Sequence, residues 1–310
     1  MHDELKDRFL GSMYGAAIGD ALGMPVENYS AERIRNKYGV LKEYVKPPLG
    51  HPCSHLDAGQ WTDDFQQVML VAQTLTENNG FDAEKFSKKF AEWGRLNIEE
   101  ESEPKKWWRY PGTTSLGAAR RLLDGNEWHK SGSYSATCGS AMRVAPIGLF
   151  YYNDKELEEM AKKSSIVSHT HPAAIAASVC IAKAVAYSAD GNICFKDLVD
   201  TSRKYSDEFS HKLVRTRELD TNLRKIGTSW KAVEAPVAAI YIAMKDKGFE
   251  ESVVEAVNAG GDTDSVACMV GAIVGARVGK SRIDKRFFDG LEGREVIEKL
   301  ATELYEARSV

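Results

Sequence analysis

Two short stretches hold the side chains best suited to chemistry. Gly260-Gly261-Asp262-Thr263-Asp264-Ser265 sets two carboxylates and two hydroxyls behind a glycine pair, and the almost uncharged run VACMVGAIVGARV follows from Val266. Far upstream, Thr62-Asp63-Asp64 also stands directly before an apolar run. Taken singly, each reads as a helix N-cap, with a hydroxyl or carboxylate on the first free amides and acid favoured by the helix dipole. A cap needs only one side chain, however, and behind the glycine pair Asp262, Asp264 and Ser265 offer three. Asp262 and Asp264 do not share a face inside a helix, so they act together only at a helix mouth, where the glycines place them. Carboxylates at the mouth of a buried helix are expensive unless compensated. Two such sets predict one site for hard divalent cations, Mg²⁺, Mn²⁺ or Ca²⁺, with hydroxyls completing the oxygen ligands. Several converging carboxylates make two cations more natural than one.

Other segments carry weaker signals. In Ser168-His169-Thr170-His171-Pro172, Pro172 suits a first helical position. One histidine then caps or packs, or one contacts a ligand. Gly139-Ser140-Ala141-Met142-Arg143 reads as tight packing ending in a surface salt bridge, or as a backbone cradle for phosphate or ribose. Trp107-Trp108-Arg109-Tyr110-Pro111-Gly112 reads as a satellite hydrophobic cluster or as a loop that stacks a base. Gly15 to Gly19 is no dinucleotide fingerprint, since no strand precedes it.

The elements that must position these groups are helical. Periodicity and caps predict helices over 4–22, 63–78, 82–95, 116–123, 154–164, 172–188, 195–204, 207–225, 231–247, 250–258, 264–278 and 293–307. The first shows a small-residue face (Gly11, Ala16, Ala17, Gly19, Gly23) and an acid, Asp20. Each interior glycine costs about 1 kcal/mol against alanine, so that face implies close approach of a helix or ligand. Residues 24–60, with four prolines and Glu27, read as a long irregular loop or lid. Residues 139–151 are small and apolar, interrupted by Pro146. Strand signals are nearly absent, and neither a repeat nor a low-complexity linker divides the chain. The expectation is an all-α protein with one domain spanning 1–310.

Composition sets the outer bounds. The 310 residues are 43% hydrophobic and 28% charged with net charge −4, which fits a globular protein and gives no reason for a nucleic-acid or anionic-membrane surface. Five scattered cysteines with no CxxC pair argue against a disulfide framework or zinc knuckle and for a cytoplasmic protein. No run is expected to span a membrane, and the N-terminus lacks the apolar core of a signal peptide.

Taken together, the motifs resemble the ADP-ribosylglycohydrolases, among them the dinitrogenase-reductase-activating glycohydrolase and the ADP-ribosyl-arginine and ADP-ribosyl-serine hydrolases. The markers are Gly19-Asp20-Ala21-Leu22-Gly23 with Glu27, Trp61-Thr62-Asp63-Asp64, Tyr110-Pro111-Gly112, Met142-Arg143-Val144-Ala145-Pro146, His169-Thr170-His171-Pro172, Gly227 to Trp230, and Gly260-Gly261-Asp262-Thr263-Asp264. They occur in the family's order over nearly the whole chain. The resemblance implies an orthogonal helical bundle with a binuclear Mg²⁺ or Mn²⁺ centre held by Thr62, Asp63, Asp64, Asp262, Asp264 and Ser265. Ser265 replaces the family's more usual threonine and keeps its hydroxyl. Glu27 matches an acid used as ligand or proton carrier, so Asp63, Glu27 and Asp262 are the candidate catalytic groups. His169 matches a histidine on the distal ribose or phosphates, and the Arg109–Ser115 loop a loop along the diphosphate. Tyr110, Gly112, Cys138, Gly139, Ser140 and Met142 complete the implied ligand-binding set. Cys138 stands where many relatives have asparagine, which bears on substrate preference. The implied reaction is metal-dependent hydrolysis of the glycosidic bond between ADP-ribose and a protein or small-molecule acceptor. The alternatives are a metallohydrolase of this fold acting on another nucleotide or phosphoester, or a non-catalytic ADP-ribose reader.

Overall fold

The structure, a computed structural model, describes residues 2–99, 108–191 and 193–308. Trp107 of the aromatic tract lies outside them. The described residues form fifteen α-helices and no strand, beyond three isolated bridges such as Ser133–His169.

Two helices form the centre. Helix α1 (His2–Gly23) and helix α14 (Thr263–Val278) run antiparallel in backbone contact. Glycines recur every fourth residue of α1, at 11, 15, 19 and 23. A Cβ on each would lie 2.3, 2.1, 1.9 and 2.4 Å from the carbonyl oxygens of Gly275, Gly271, Ala267 and Thr263 in turn. That spacing is one face of a helix, so the glycine stripe is a docking track for α14. Polar bonds fix the register: Ser12 Oγ donates to the Ala272 carbonyl at 2.9 Å, and Thr263 Oγ1 to that of Gly23 at 2.8 Å. The mouth of α14 therefore meets the exit of α1, which turns through a 3₁₀ step at Met24–Val26 and delivers Glu27.

Helix α3 (Asp63–Asn78) joins the same point. Its first turn is held by Asp20 of α1, whose carboxylate accepts from the Thr62 amide at 2.9 and 3.0 Å and from the Phe65 amide at 2.9 Å. Helix α8 (Pro172–Asp190) packs against α14 with α12 (Ala235–Ala243) and α13 (Phe249–Asn258). It is long and apolar enough to cross a membrane by length and composition, but most of its apolar window is buried inside the fold. Its apolar surface is core.

Other expectations shift locally. Residues 24–60 contain helix α2 (Ala31–Tyr38), started by Ser30 Oγ accepting from the Arg33 amide. The helix expected over 207–225 is two, α10 (Asp207–Arg215) and α11 (Leu223–Ile226), because Asn222 recaps the chain. The 139–151 stretch yields a short helix, α6 (Ala145–Phe150), with Pro146 tolerated in its first turn.

Candidate metal and ligand site

The elements above converge on a cavity of about 410 Å³. Asp63 and Asp64 enter from α3, and Asp262, Asp264 and Ser265 from α14. Glu27 comes from the turn after α1. Gly260 and Gly261 take left-handed conformations, φ 75° and 85°, that other residues rarely adopt. They let the chain pass Tyr29 and Thr228, with Gly261 N–H donating to Tyr29 O at 2.8 Å and Asp262 N–H to Thr228 O at 2.7 Å. One carboxylate oxygen each from Glu27, Asp262 and Asp264 lies within 4.8 Å of the other two.

This charge is poorly compensated by protein. Gln67 Nε2 donates to Asp63 at 2.8 Å, the Cys138 thiol to Asp262 at 3.0 Å, Asn28 Nδ2 to Glu27 at 3.1 Å, and the Ser265 amide to Asp264 at 3.0 Å. Glu27 Oε2 and Asp64 Oδ2 are buried without any hydrogen-bond partner. Burial, reinforced by the neighbouring carboxylates, pushes Glu27, Asp63, Asp64 and Asp264 well above the usual carboxylate range. Burial also raises Asp262. Native folds seldom leave buried carboxylate oxygens unpaired, and a hard cation is the partner this donor set fits.

The opposite wall is built for a polar ligand. Gly112 to Ser115 line it at the start of α5 (Thr113–Leu123), whose first amides have no side-chain cap. Tyr110 closes one side from a left-handed backbone, φ 59°, a strained state for a bulky residue. Trp230 stands at another side with Cys138, Gly139 and Met142. His169 is buried, its Nδ1 2.7 Å from Ser168 Oγ and its Nε2 2.7 Å from Thr137 Oγ1. Burial, then the charge of Arg143, lowers its pKa to about 3, so the ring is neutral.

A model of the ADP-ribosylglycohydrolase family matches residues 1–310. The chain belongs to the ADP-ribosylglycohydrolase family. An uncharacterised protein of Archaeoglobus fulgidus is 37% identical over 311 residues, spanning 97% of each chain. The ADP-ribosylarginine hydrolase Tri1 of Serratia proteamaculans is 26% identical, over 97% of this chain and 80% of its own. A solved ADP-ribosylglycohydrolase-related protein complex superimposes with TM-score 0.80 at 25% identity, covering 99% of both chains. Membership places the chain among enzymes that hydrolyse ADP-ribose linkages.

Most of the expected ADP-ribosylglycohydrolase site residues line this cavity, but not all. Thr62 does not. Its Oγ1 caps α3 by accepting from the Asp64 amide at 3.2 Å. Ser140 is buried behind the wall, 2.9 Å from both Ser165 Oγ and Ser178 Oγ. Arg109 turns its guanidinium away to Glu292, at 2.9 Å on both oxygens, while its carbonyl accepts from the Asp63 amide at 3.2 Å. His171 caps α8 through Nδ1. The surface salt bridge weighed for Arg143 is wrong, because Arg143 is fully buried. Sequence reasoning missed Thr137, Asn28 and Gln67 altogether. Only Gln67 left a trace, one helical turn after Asp63 and so on its face.

Proposed function

We propose that this chain is a metal-dependent ADP-ribosylglycohydrolase, acting as a single catalytic domain over 1–310, that releases ADP-ribose from a protein or small-molecule acceptor in the cytoplasm. The observation that carries the reading is the pair of unpartnered buried oxygens, Glu27 Oε2 and Asp64 Oδ2, amid five carboxylates at one wall of a cavity whose other wall is neutral and rich in donors. Asp63, Asp64, Asp262, Asp264 and Ser265 would hold two divalent cations, Mg²⁺ or Mn²⁺. Thr62 Oγ1, which accepts the capping bond of α3 with one lone pair, would join them through the other. Such ions, when bound, supply affinity for ribose hydroxyls and bring the pKa of a bound water towards neutrality.

The chain's own residues do the rest. Glu27 and Asp63 are the carboxylates placed to take a proton from the attacking water or give one to the leaving group. Negative charge on this wall favours an oxocarbenium-like sugar. The uncapped amides at the start of α5 and the hydroxyls of Thr113 to Ser115, with His169, would receive the diphosphate, since a helix start favours anions. Tyr110 and Trp230 would hold the adenosine part and exclude water. Asp262→Ala or Asp264→Ala should stay folded and lose both metal and turnover. The test is release of ADP-ribose from arginine-, serine- and aspartate- or glutamate-linked substrates, with and without metal. Release by chelated enzyme, or full release by either variant, would sink the reading.

A further inference from the structure

Arg143 is a fully buried guanidinium with no carboxylate among its hydrogen-bond or ion-pair partners in the described residues. Its hydrogen-bond acceptors are all neutral: Gln67 Oε1 at 2.8 Å, the Ser164 carbonyl at 2.6 Å and Ser168 Oγ at 2.8 Å. Its Nε has no partner. The rings of Phe86 and Phe90 lie 5.2 and 5.0 Å from its guanidinium carbon. Burial lowers its pKa to about 9, so it remains charged at neutrality. Packing alone does not ask for this group, since an apolar side chain of similar size would fill the space without desolvating a charge.

Two of its bonds lead to opposite walls of the cavity. Gln67 accepts from Arg143 through Oε1, which turns its amide nitrogen onto Asp63 Oδ2 at 2.8 Å. Ser168 Oγ accepts from Arg143, and its other hydrogen-bond neighbour among the described residues is His169 Nδ1, 2.7 Å away, which takes its proton. A neutral imidazole has one N–H. With Nδ1 accepting, that proton sits on Nε2 and donates to Thr137 Oγ1 at 2.7 Å. The Thr137 proton is then free for Ser135, 3.3 Å away, or for a ligand oxygen in the cavity that Thr137 lines. The series runs one way, from Arg143 through Ser168 and His169 to the Thr137 hydroxyl at the cavity.

We propose that Arg143 is a positioning residue serving both walls, orienting Asp63 through Gln67 and fixing His169 as the Nε2–H tautomer through Ser168, so that the His169 N–H occupies the Thr137 oxygen and Thr137 turns its O–H to an anionic, acceptor-rich ligand such as a diphosphate. What each wall binds rests on the proposed function; the tautomer does not.

The test reads ¹⁵N-histidine NMR of the metal-free, ligand-free protein and Mn²⁺ calorimetry. Wild type should show His169 protonated at Nε2 alone. Arg143→Met leaves the Ser164 carbonyl and the Ser168 hydroxyl without their shared donor, so the Ser168 proton has a second acceptor and an Nδ1–H population should appear, and Mn²⁺ binding should weaken roughly 10- to 100-fold, as when the partner that orients a ligand is removed. Arg143→Lys, which can still donate to Ser168, should restore the tautomer. Gln67→Leu should weaken Mn²⁺ binding and leave the His169 spectrum alone. Ser168→Ala should raise KM for the ADP-ribosylated substrate about tenfold and leave Mn²⁺ binding alone. These two variants decide the matter should Arg143→Met not fold. An Nδ1–H tautomer in the wild type, or Gln67→Leu and Ser168→Ala each moving neither readout, overturns the proposal. Failure of the wild type to bind Mn²⁺ overturns the metal reading and the Gln67 arm with it, leaving the tautomer to stand or fall by itself.

Discussion

Glu27 shows what a functional carboxylate costs this protein. Its Oε2 has no protein partner, and the charges of Asp262 and Asp63 add to burial in disfavouring its ionised form. Replacing it by the neutral amide should relieve metal-free protein of that repulsion while removing an anion from the cation site. Glu27→Gln is therefore expected to raise the stability of chelated protein by about 1 kcal/mol and to lose most of both turnover and the stabilisation by Mn²⁺. Thermal melts with and without the ion check it, and a variant less stable without metal would contradict the account. Gly139 makes a steric counterpart on the other wall. A Cβ there would lie 3.0 Å from His169 Cε1 and 3.2 Å from its Nε2, closer than the ring tolerates without turning. Gly139→Ala should raise KM for an ADP-ribosylated substrate roughly tenfold, a loss of about 1.4 kcal/mol in ligand contact, and leave Mn²⁺ binding unchanged. Residues of this kind were unevenly legible in the sequence. Asp63, Asp64, Asp262 and Asp264 were readable because local capping could not account for so many acids. Arg143 and Thr137 were not, because their direction is fixed by Ser168 and His169 from another part of the chain, and no spacing rule reaches that far.

At the scale of elements, the pairing of α1 with α14 decides whether the site exists. The sequence announced a small-residue face on α1 and a near-uncharged α14, and both helices formed close to their expected ends. It did not announce that Asp20 would reach across to hold the first turn of α3, since that bond is purely tertiary. Nor did it say which elements would bury the apolar surface of α8. The break between α10 and α11 was missed because apolar spacing ran on while Asn222 began a new cap. The close crossing makes a sharp prediction. A Cβ at Gly271 would lie 1.9 Å from the Gly15 carbonyl oxygen, a backbone atom that cannot rotate away. Gly271→Ala must push the helices apart, at about 1–3 kcal/mol for overpacking. Because α1 leads to Glu27 and α14 carries Asp264 in its first turn, the same shift widens the acid cluster. Mn²⁺ affinity should fall even in variant protein held fully folded at low temperature. Unchanged affinity in calorimetry would mean that the crossing does not set the site.

For the whole molecule, the converged carboxylates make stability a function of pH and cation together. Asp20 is raised by burial from 3.8 to about 7, and the carboxylates of the cavity are raised as well. Their folded pKa values exceed the unfolded ones, so folded protein holds protons that the unfolded chain has released. The contribution is fully present below the unfolded pKa and is lost as pH rises through the folded value, with the slope set by the difference in bound protons. His169 opposes this at lower pH: its folded pKa of about 3 lies below its ordinary 6.5, so its opposing slope fades over about one unit above 6.5 as the unfolded imidazole loses its last protons. From pH 6.5 to 8 the acid cluster therefore governs, and chelated protein should lose melting temperature steadily. Saturating Mg²⁺ or Mn²⁺ acts in the opposite sense, because cations compete with those protons and bind more tightly as the pH rises. At a hundredfold excess over Kd the gain is about 2.7 kcal/mol, enough to flatten or reverse the slope. Melting curves at four pH values in that window, with chelator and with each ion, measure both effects at once. A chelated protein whose melting temperature ignores pH would show that the acids are already ionised and paired within the fold, and the cavity would then need no cation.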